Sequence, residues 1–284
     1  MKFDLNEEKE VVVLLGAGDM GLAIIKRISA GKKILLADIN KKKLETLKKE
    51  LTYSGYDVET QETNAMEKES IKQLAQKAAK LGKVMYFIDT AGASPSQASP
   101  EHIIDLDLIG TSYALDEFGK VMSKGGAGLI ISSMTGYMPS PLTPEDENLL
   151  RTTKTENLKE LKCLSQETIT NPGIAYIVSK KANQLRVQHA SATNWAERGA
   201  RINTISPGII VTPLAYDEFN TSGEGYQQMI NICGAKRVGT SDEIAFASEF
   251  LLSNKAGFIT GIDLLIDGGT IAALNSGLMD LEIH

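Results

Sequence analysis

The chain has 284 residues, 42% of them hydrophobic, and a formal net charge of −6. That length holds one large α/β domain with an ample core, and the acidic balance disfavours partnership with nucleic acid or an anionic membrane surface. No apolar run approaches the roughly 20 residues that span a bilayer, and the charged start Met1–Glu10 is unlike a secretory signal.

The elements follow in chain order. Val11–Leu15 is an unbroken apolar, β-branched run, the pattern of a strand buried on both faces. It runs into Gly16-Ala17-Gly18-Asp19-Met20-Gly21, after which Leu22–Ile28 reads as a helix. A second strand, Lys33–Asp38, ends in an acid. Strand, glycine turn, helix, strand, acid is the order of a dinucleotide site. The glycines let backbone approach a pyrophosphate, the helix N-terminus offers free N–H groups, and Asp38 would accept hydrogen bonds from ribose hydroxyls. Lys41–Lys43 opens a helical pattern and is expected to face solvent.

Val58–Gln61 reads as a short strand leading to Asn64 and Ala65, and Ser70–Leu81 as an amphipathic helix. Val84–Ile88 is a buried strand closed by Asp89-Thr90-Ala91-Gly92, and Ile103–Met122 is expected to form one long helix. Gly128–Ile131 delivers Ser132 and Ser133 to its carboxyl end. The strand Arg201–Ile205 precedes the turn Ser206-Pro207-Gly208, and Leu264–Ile266 is a last strand before Asp267-Gly268-Gly269. The expected fold is α/β, a Rossmann-type doubly wound parallel sheet in a single domain over 1–284. Cys163 and Cys233 are far apart, which suits a reduced, cytoplasmic setting. His102, His189 and His284 have no metal-ligand spacing, so no metal is expected. His189 and Trp195 read as structural or interface residues.

Tyr176 and Lys180 stand four residues apart in a helical pattern, on one face. A free phenol has a pKa of about 10 and a lysine about 10.4; a nearby cation lowers the phenol's. With a serine hydroxyl at hand, such a pair can pass a proton to or from a carbonyl or alcohol oxygen.

Taken together and in order, these motifs resemble the short-chain dehydrogenase/reductase family from Val11 to about Thr270. The resemblance rests on the glycine turn, Asn64, Ala91-Gly92, Ser133-Met134-Thr135-Gly136, Tyr176 with Lys180, Pro207-Gly208 with Thr212, and the closing Asp-Gly-Gly. The segment Arg237–Ala245, followed by Phe250–Ser253, also fits the family's late helix. It implies that Tyr176 is the general acid in reduction and the base in oxidation. Lys180 would tune the phenol and hold the nicotinamide ribose, and Ser133 would bond the reacting oxygen. Asn64 and Ala65 would lie at the adenine, Ala91 and Gly92 at the adenosine side, and Pro207, Gly208, Ile210 and Thr212 at the nicotinamide. Asp38 favours NAD over NADP.

Three departures stand out. The glycine turn is one residue shorter than the family's and opens Leu15-Gly16 instead of Thr-Gly. Asp107 takes the place of the asparagine that completes the family's catalytic tetrad; nearly isosteric, it would either fix the same helix kink or add negative charge near Lys180. Residues 139–172 are a charged, helix-prone insertion before Tyr176, like that of some carbonyl reductases and hydroxysteroid dehydrogenases. It would wall the substrate cleft, cover the pairing helices, or run as a solvated excursion. Residues 213–236, with Tyr216, Phe219, Tyr226, Met229 and Ile230, correspond to a substrate lid given flexibility by Gly223 and Gly225. The implied activity is NAD-dependent hydride transfer to or from a small-molecule secondary alcohol or ketone, moderately bulky and apolar. A homo-oligomer, dimer or tetramer, is expected, with a monomer open because of the insertion. The alternative is a non-catalytic NAD(H)-binding regulator or scaffold of the same fold, against which the intact Ser133, Tyr176 and Lys180 argue.

Overall fold

Among the described residues, seven parallel strands form one sheet in a computed structural model. It describes residues 9–96 and 98–278, with side chains omitted at 213–214 and 216–222. Residues 1–8 of the charged start, His284 and the side chains of Tyr216 and Phe219 lie outside the described residues.

In chain order the elements are β1 (Glu10–Leu15), α1 (Asp19–Ile28), β2 (Lys33–Asp38), α2 (Lys41–Tyr53), β3 (Asp57–Glu62), α3 (Lys68–Leu81) and β4 (Lys83–Asp89). Then come α4 (Pro100–Ile103), a π-helical stretch (Ile104–Gly110), α5 (Thr111–Val121) and β5 (Ala127–Ile131). The chain continues with α6 (Pro144–Thr152), α7 (Pro172–Ala192), α8 (Asn194–Glu197), β6 (Arg201–Pro207), β7 (Ile210–Val211) and α9 (Pro213–Ile232). It ends with β8 (Gly239–Thr240), α10 (Ser241–Leu252), β9 (Asp263–Ile266) and α11 (Thr270–Asn275). The expected strands all form. The helix expected over Ile103–Met122 is interrupted by the π-helical stretch, which carries Asp107. The region expected to be a flexible lid is largely the helix α9, with Gly223 and Gly225 inside it.

The sheet order is β3-β2-β1-β4-β5-β6-β9; β1 pairs with β2 on one side and β4 on the other, so the strand order reverses between β1 and β4. A crevice must open there at the carboxyl ends, where open α/β sheets take their ligands. Val11–Leu15 is fully buried because helices cover both faces of the sheet. One apolar layer joins α3, α5 and Trp195 to the sheet, and a second joins α1, α2 and α10 to the other face.

The segment 139–172 is not a loose excursion. Leu150, Leu158, Cys163 and Ile169 bury with Ile104, Leu108, Ala175 and Val178 in a third apolar cluster. The buried Arg186 guanidinium of α7 donates to the Leu150 and Thr153 carbonyls and to Thr155 Oγ1, and Thr155 donates on to Asp116. A capping box of Thr143 and Asp146 starts α6. Among the described residues no helix is long and apolar enough to cross a membrane.

Trp195 is a core residue. Its ring is fully buried near Phe87, which stacks on Phe118, and its Nε1–H donates to the Leu115 carbonyl at 3.0 Å. Trp195→Ala is expected to cost about 3–5 kcal/mol through the cavity it leaves. A denaturant titration reads this as a lowered midpoint; an unchanged midpoint would contradict the packing described.

Candidate active site

β1 drives the backbone into the crevice, and the glycine turn is shaped by what it must pass. Gly16 has φ +84°, and a Cβ there would lie 2.5 Å from the Ala91 amide nitrogen. Only glycine permits that approach. A Cβ on Gly21 would lie 2.8 Å from Leu14 Cδ1 and Thr90 Oγ1, so Gly21 lets α1 sit close on the sheet. Gly18, by contrast, faces open space and caps α1 without a side-chain bond. First-turn N–H groups are therefore left for an anion. These are the three duties of the Gly-x-Gly-x-x-Gly turn in dinucleotide folds, met here by the shortened loop.

A cleft of about 470 Å³ opens at this point. Of the residues expected from sequence, Gly16, Gly18, Asp19, Met20, Asp38, Asn64, Ala65, Ala91, Gly92 and Thr212 line it. Gly21 lies behind the cleft. Gly208 and Ile210 line a separate, smaller cavity of about 180 Å³, and Pro207 is buried in β6. Thr212 accepts the Ala215 N–H at 3.2 Å and caps α9. Sequence reasoning missed Ile39, Lys43, Thr90 and His102, which also line the cleft. Of these, Ile39 and Thr90 adjoin motif residues and were within reach of a local reading.

Asp38 has work beyond any ribose. Its Oδ2 accepts the Ala17 N–H and its Oδ1 the Asn40 N–H, each at 2.9 Å. The carboxylate thereby ties the glycine turn to the end of β2. Lys43 approaches Asp38 Oδ2 at 3.7 Å, so one lysine of the run expected to face solvent turns into the cleft mouth. Asn64 accepts the Met66 N–H and donates to Glu67, a local turn that fixes the cleft's far wall.

The residues expected to handle the proton lie on α7 and just after β5. Asn171 caps α7 by accepting the Ile174 N–H, and Pro172 fits its first turn. One turn on, Tyr176 is half-buried and Lys180 buried, with the ammonium 5.2 Å from the phenol ring centre. Ser132 donates to the Lys180 carbonyl at 2.9 Å, a structural bond that seats the helix against β5. Ser133 is half-buried, accepts the Thr135 N–H at 3.2 Å, and keeps its own proton to donate.

Asp107 lies fully buried in the π-helical stretch. Its Oδ1 accepts the Ala93 N–H at 2.8 Å, and its Oδ2 stands 3.1 Å from Lys180 Nζ. A Cβ on Gly92 would be 3.4 Å from both members of that ion pair, so the pair lies against the turn that lines the cleft. Asp89, also buried, ends β4 and accepts the Ala91 N–H at 3.0 Å. Burial opposes the charge on Lys180, but Asp107, Tyr176 and Asp89 outweigh it and hold the ammonium above its ordinary pKa. Burial likewise pushes Asp107 up against the pull of Lys180. Burial pushes Asp89 to about 7, despite its bond from Ala91 and the field of Lys180. Two carboxylates face one ammonium, and Asp107 is the one in contact.

The chain matches the family profile described as short chain dehydrogenase over residues 9–145, and that described as Enoyl-(Acyl carrier protein) reductase over 161–270. It is 38% identical to "Short-chain dehydrogenase/reductase bsc3" of Alternaria brassicicola, covering 94% of this chain and 97% of the relative. It is 26% identical to "7alpha-hydroxysteroid dehydrogenase" of Bacteroides fragilis (93% and 94% covered). Identity is also 26% to "NADH-dependent L-xylulose reductase" of Ambrosiozyma monospora (91% and 94% covered). Among solved structures, "Short-chain dehydrogenase/reductase from Serratia marcescens BCRC 10948" superposes with a TM-score of 0.72 at 20% identity, covering 93% of this chain and 98% of that one. At that identity the likeness concerns the fold.

Asp89 carries a pH-dependent cost. Its folded pKa is raised to about 7 from 3.8, so between those values the native state binds the extra proton and stability falls as pH rises. Asp89→Asn keeps the acceptor for Ala91 and removes the charge. It is expected to raise stability by roughly 2–4 kcal/mol at pH 8 and to leave it unchanged at pH 4. Thermal melts at the two pH values check this; an equal effect at both would contradict it.

Proposed function

The chain belongs to the short-chain dehydrogenase/reductase family, and within it we propose an NAD(H)-dependent oxidoreductase that interconverts a secondary alcohol and its ketone through Ser133, Tyr176 and Lys180. The observation that carries this reading is the place of Lys180. Its buried ammonium lies 5.2 Å from the Tyr176 ring centre and directly behind Gly92, a residue that lines the cleft.

The residues fit a nicotinamide dinucleotide. Gly16, Gly18, Asp19 and Met20 would hold the pyrophosphate at the uncapped start of α1, and Asp38 the adenosine ribose. Asn64 and Ala65 would flank the adenine, Ala91 and Gly92 the adenosine side, and Lys180 the nicotinamide ribose. Pro207, Gly208, Ile210 and Thr212 would flank the nicotinamide. When bound, the cofactor supplies a hydride in reduction and accepts one in oxidation. In reduction the Tyr176 phenol gives its proton to the carbonyl oxygen; in oxidation the phenolate takes the alcohol proton. Ser133 donates a hydrogen bond to the same oxygen, steadying charge that develops there. Lys180 supplies the positive field beside the phenol.

The Asp38 carboxylate would repel a 2′-phosphate, and Lys43, the cation nearest to it, is already engaged with Asp38. That favours NAD over NADP. The half-buried Tyr226, Met229 and Ile230 of α9 supply apolar surface for a moderately bulky substrate. A homo-oligomer is expected to form through surfaces other than the part of α7 covered by the segment 139–172.

NADH oxidation against ketones from small diketones to steroids tests the activity. Tyr176→Phe is expected to lower turnover by about 10²–10⁴-fold with little change in NADH affinity; full turnover in the variant would remove the tyrosine from the reaction. Asp38→Ala is expected to weaken NADH binding, by loss of the ribose acceptor and release of the Ala17 N–H, and to narrow discrimination against NADPH. Cofactor fluorescence titration reads both effects, and an unchanged preference would assign ribose recognition elsewhere.

A further inference from the structure

We infer that Asp107 is a positioning residue that acts through Lys180 to keep Tyr176 protonated, so that the site favours carbonyl reduction at neutral pH and oxidises alcohols only in alkaline solution. The inference rests on the Tyr176 reading above and adds to it a direction and the residue that sets it.

The geometry joins three groups through one ammonium. Tyr176 and Lys180 share one face of α7, and Lys180 Nζ, 5.2 Å from the Tyr176 ring centre, also stands 3.1 Å from Asp107 Oδ2. The carboxylate cannot swing away, because Oδ1 is held by the Ala93 N–H. Both members of the pair are nearly inaccessible, which limits screening by solvent. A cation beside a phenol favours the phenolate, and an anion beside that cation offsets the effect. The other charged and titratable groups whose fields reach the pair are Asp89 from the end of β4 and His102 from α4. Asp89 adds a second negative charge above neutral pH, and so acts in the same direction as Asp107. His102 is exposed and lines the cleft.

The chemical consequence follows from proton balance. In reduction the phenol O–H bond breaks and an alcohol O–H bond forms, and the phenolate left behind is reprotonated from solvent. In oxidation the alcohol proton passes to a phenolate that must already exist. A phenol that keeps its proton to higher pH is competent for the first step across neutral pH and for the second only above it.

Asp107→Asn tests this, since it keeps an acceptor for the Ala93 N–H and removes the charge. The first readout needs neither cofactor nor turnover. With the 8 tyrosines of the chain labelled at Cζ, the Tyr176 resonance is assigned by its loss in Tyr176→Phe and followed against pH. Its midpoint is expected to fall by one unit or more in Asp107→Asn. The rising limb of kcat/KM for alcohol oxidation should move down equally, giving about tenfold or more faster oxidation at pH 7. A midpoint that stays in place, in a variant that melts like the parent, would overturn the inference. Should Asp107→Asn not fold, Asp107→Ser, which retains a hydroxyl acceptor, answers the same question. Full turnover in Tyr176→Phe defeats the Tyr176 reading itself. An inactive Tyr176→Phe with an unmoved midpoint in Asp107→Asn defeats only the role given to Asp107.

Discussion

The ends of β1 and β4 come so close at Gly16 and Ala91 that no side chain fits between them, and the cleft is arranged around that contact. The topology imposes it: these two strands flank the point where the sheet order reverses, so their outgoing loops must part in opposite directions from neighbouring starts. Three further bonds hold the junction. Gly16 N–H donates to the Ala37 carbonyl, Thr90 N–H to the Leu15 carbonyl, and Thr90 Oγ1 to the Gly16 carbonyl. The Asp38 carboxylate then secures the next residue of the turn through Ala17. A loop one residue short of the family's usual form keeps its shape because strand ends on both sides clamp it.

The turn after β4 extends the same contact inward. Ala91 meets Gly16, Gly92 meets the Lys180–Asp107 pair, and Ala93 bonds Asp107. Three consecutive residues thus connect the glycine turn to the buried Lys180–Asp107 pair. The electrostatics around that pair are those of a closed group. Two carboxylates and one ammonium cannot all be charged without cost in a dry interior, and Asp89, raised to about 7, is where the excess negative charge is relieved by a proton.

Much of this was legible in the chain because parallel strands covered on both faces write themselves as unbroken apolar runs. Val11–Leu15 and Gly128–Ile131 are buried along their whole length, and the residues that follow them reach the ligand end of the sheet. The π-helical stretch was not legible. Its apolar residues Ile104, Leu108 and Ile109 satisfy an ordinary helical period, and the extra residue per turn is set by packing and not by pattern. Asp89 looked like a plain strand end, because its burial beside Lys180 depends on a residue about ninety positions away. Lys43 is exposed, as expected, but its approach to Asp38 was not legible for the same reason: the two are brought near only when α2 turns back on β2. The segment 139–172 stood out as charged, yet its residues Leu150, Leu158, Cys163 and Ile169 bury in a cluster whose other half comes from α4, the π-helical stretch and α7.

That cluster gives the segment a mechanical role that needs no contact with substrate. The proton transfer proposed for Tyr176 would be sensitive to displacements near an ångström, and the helix carrying Tyr176 and Lys180 is held accordingly. α7 is held at successive turns: Ser132 bonds the Lys180 carbonyl, Gln184 bonds Ser206 of β6, and Arg186 bonds two carbonyls and a hydroxyl of the segment. The first two restrain the helix against the sheet and the third from the opposite side. A buried guanidinium is costly unless its donors are met, and here the segment supplies most of the acceptors. Removing the segment would therefore do more than uncover a surface; it would take away three of the bonds that hold the Arg186 side chain of α7.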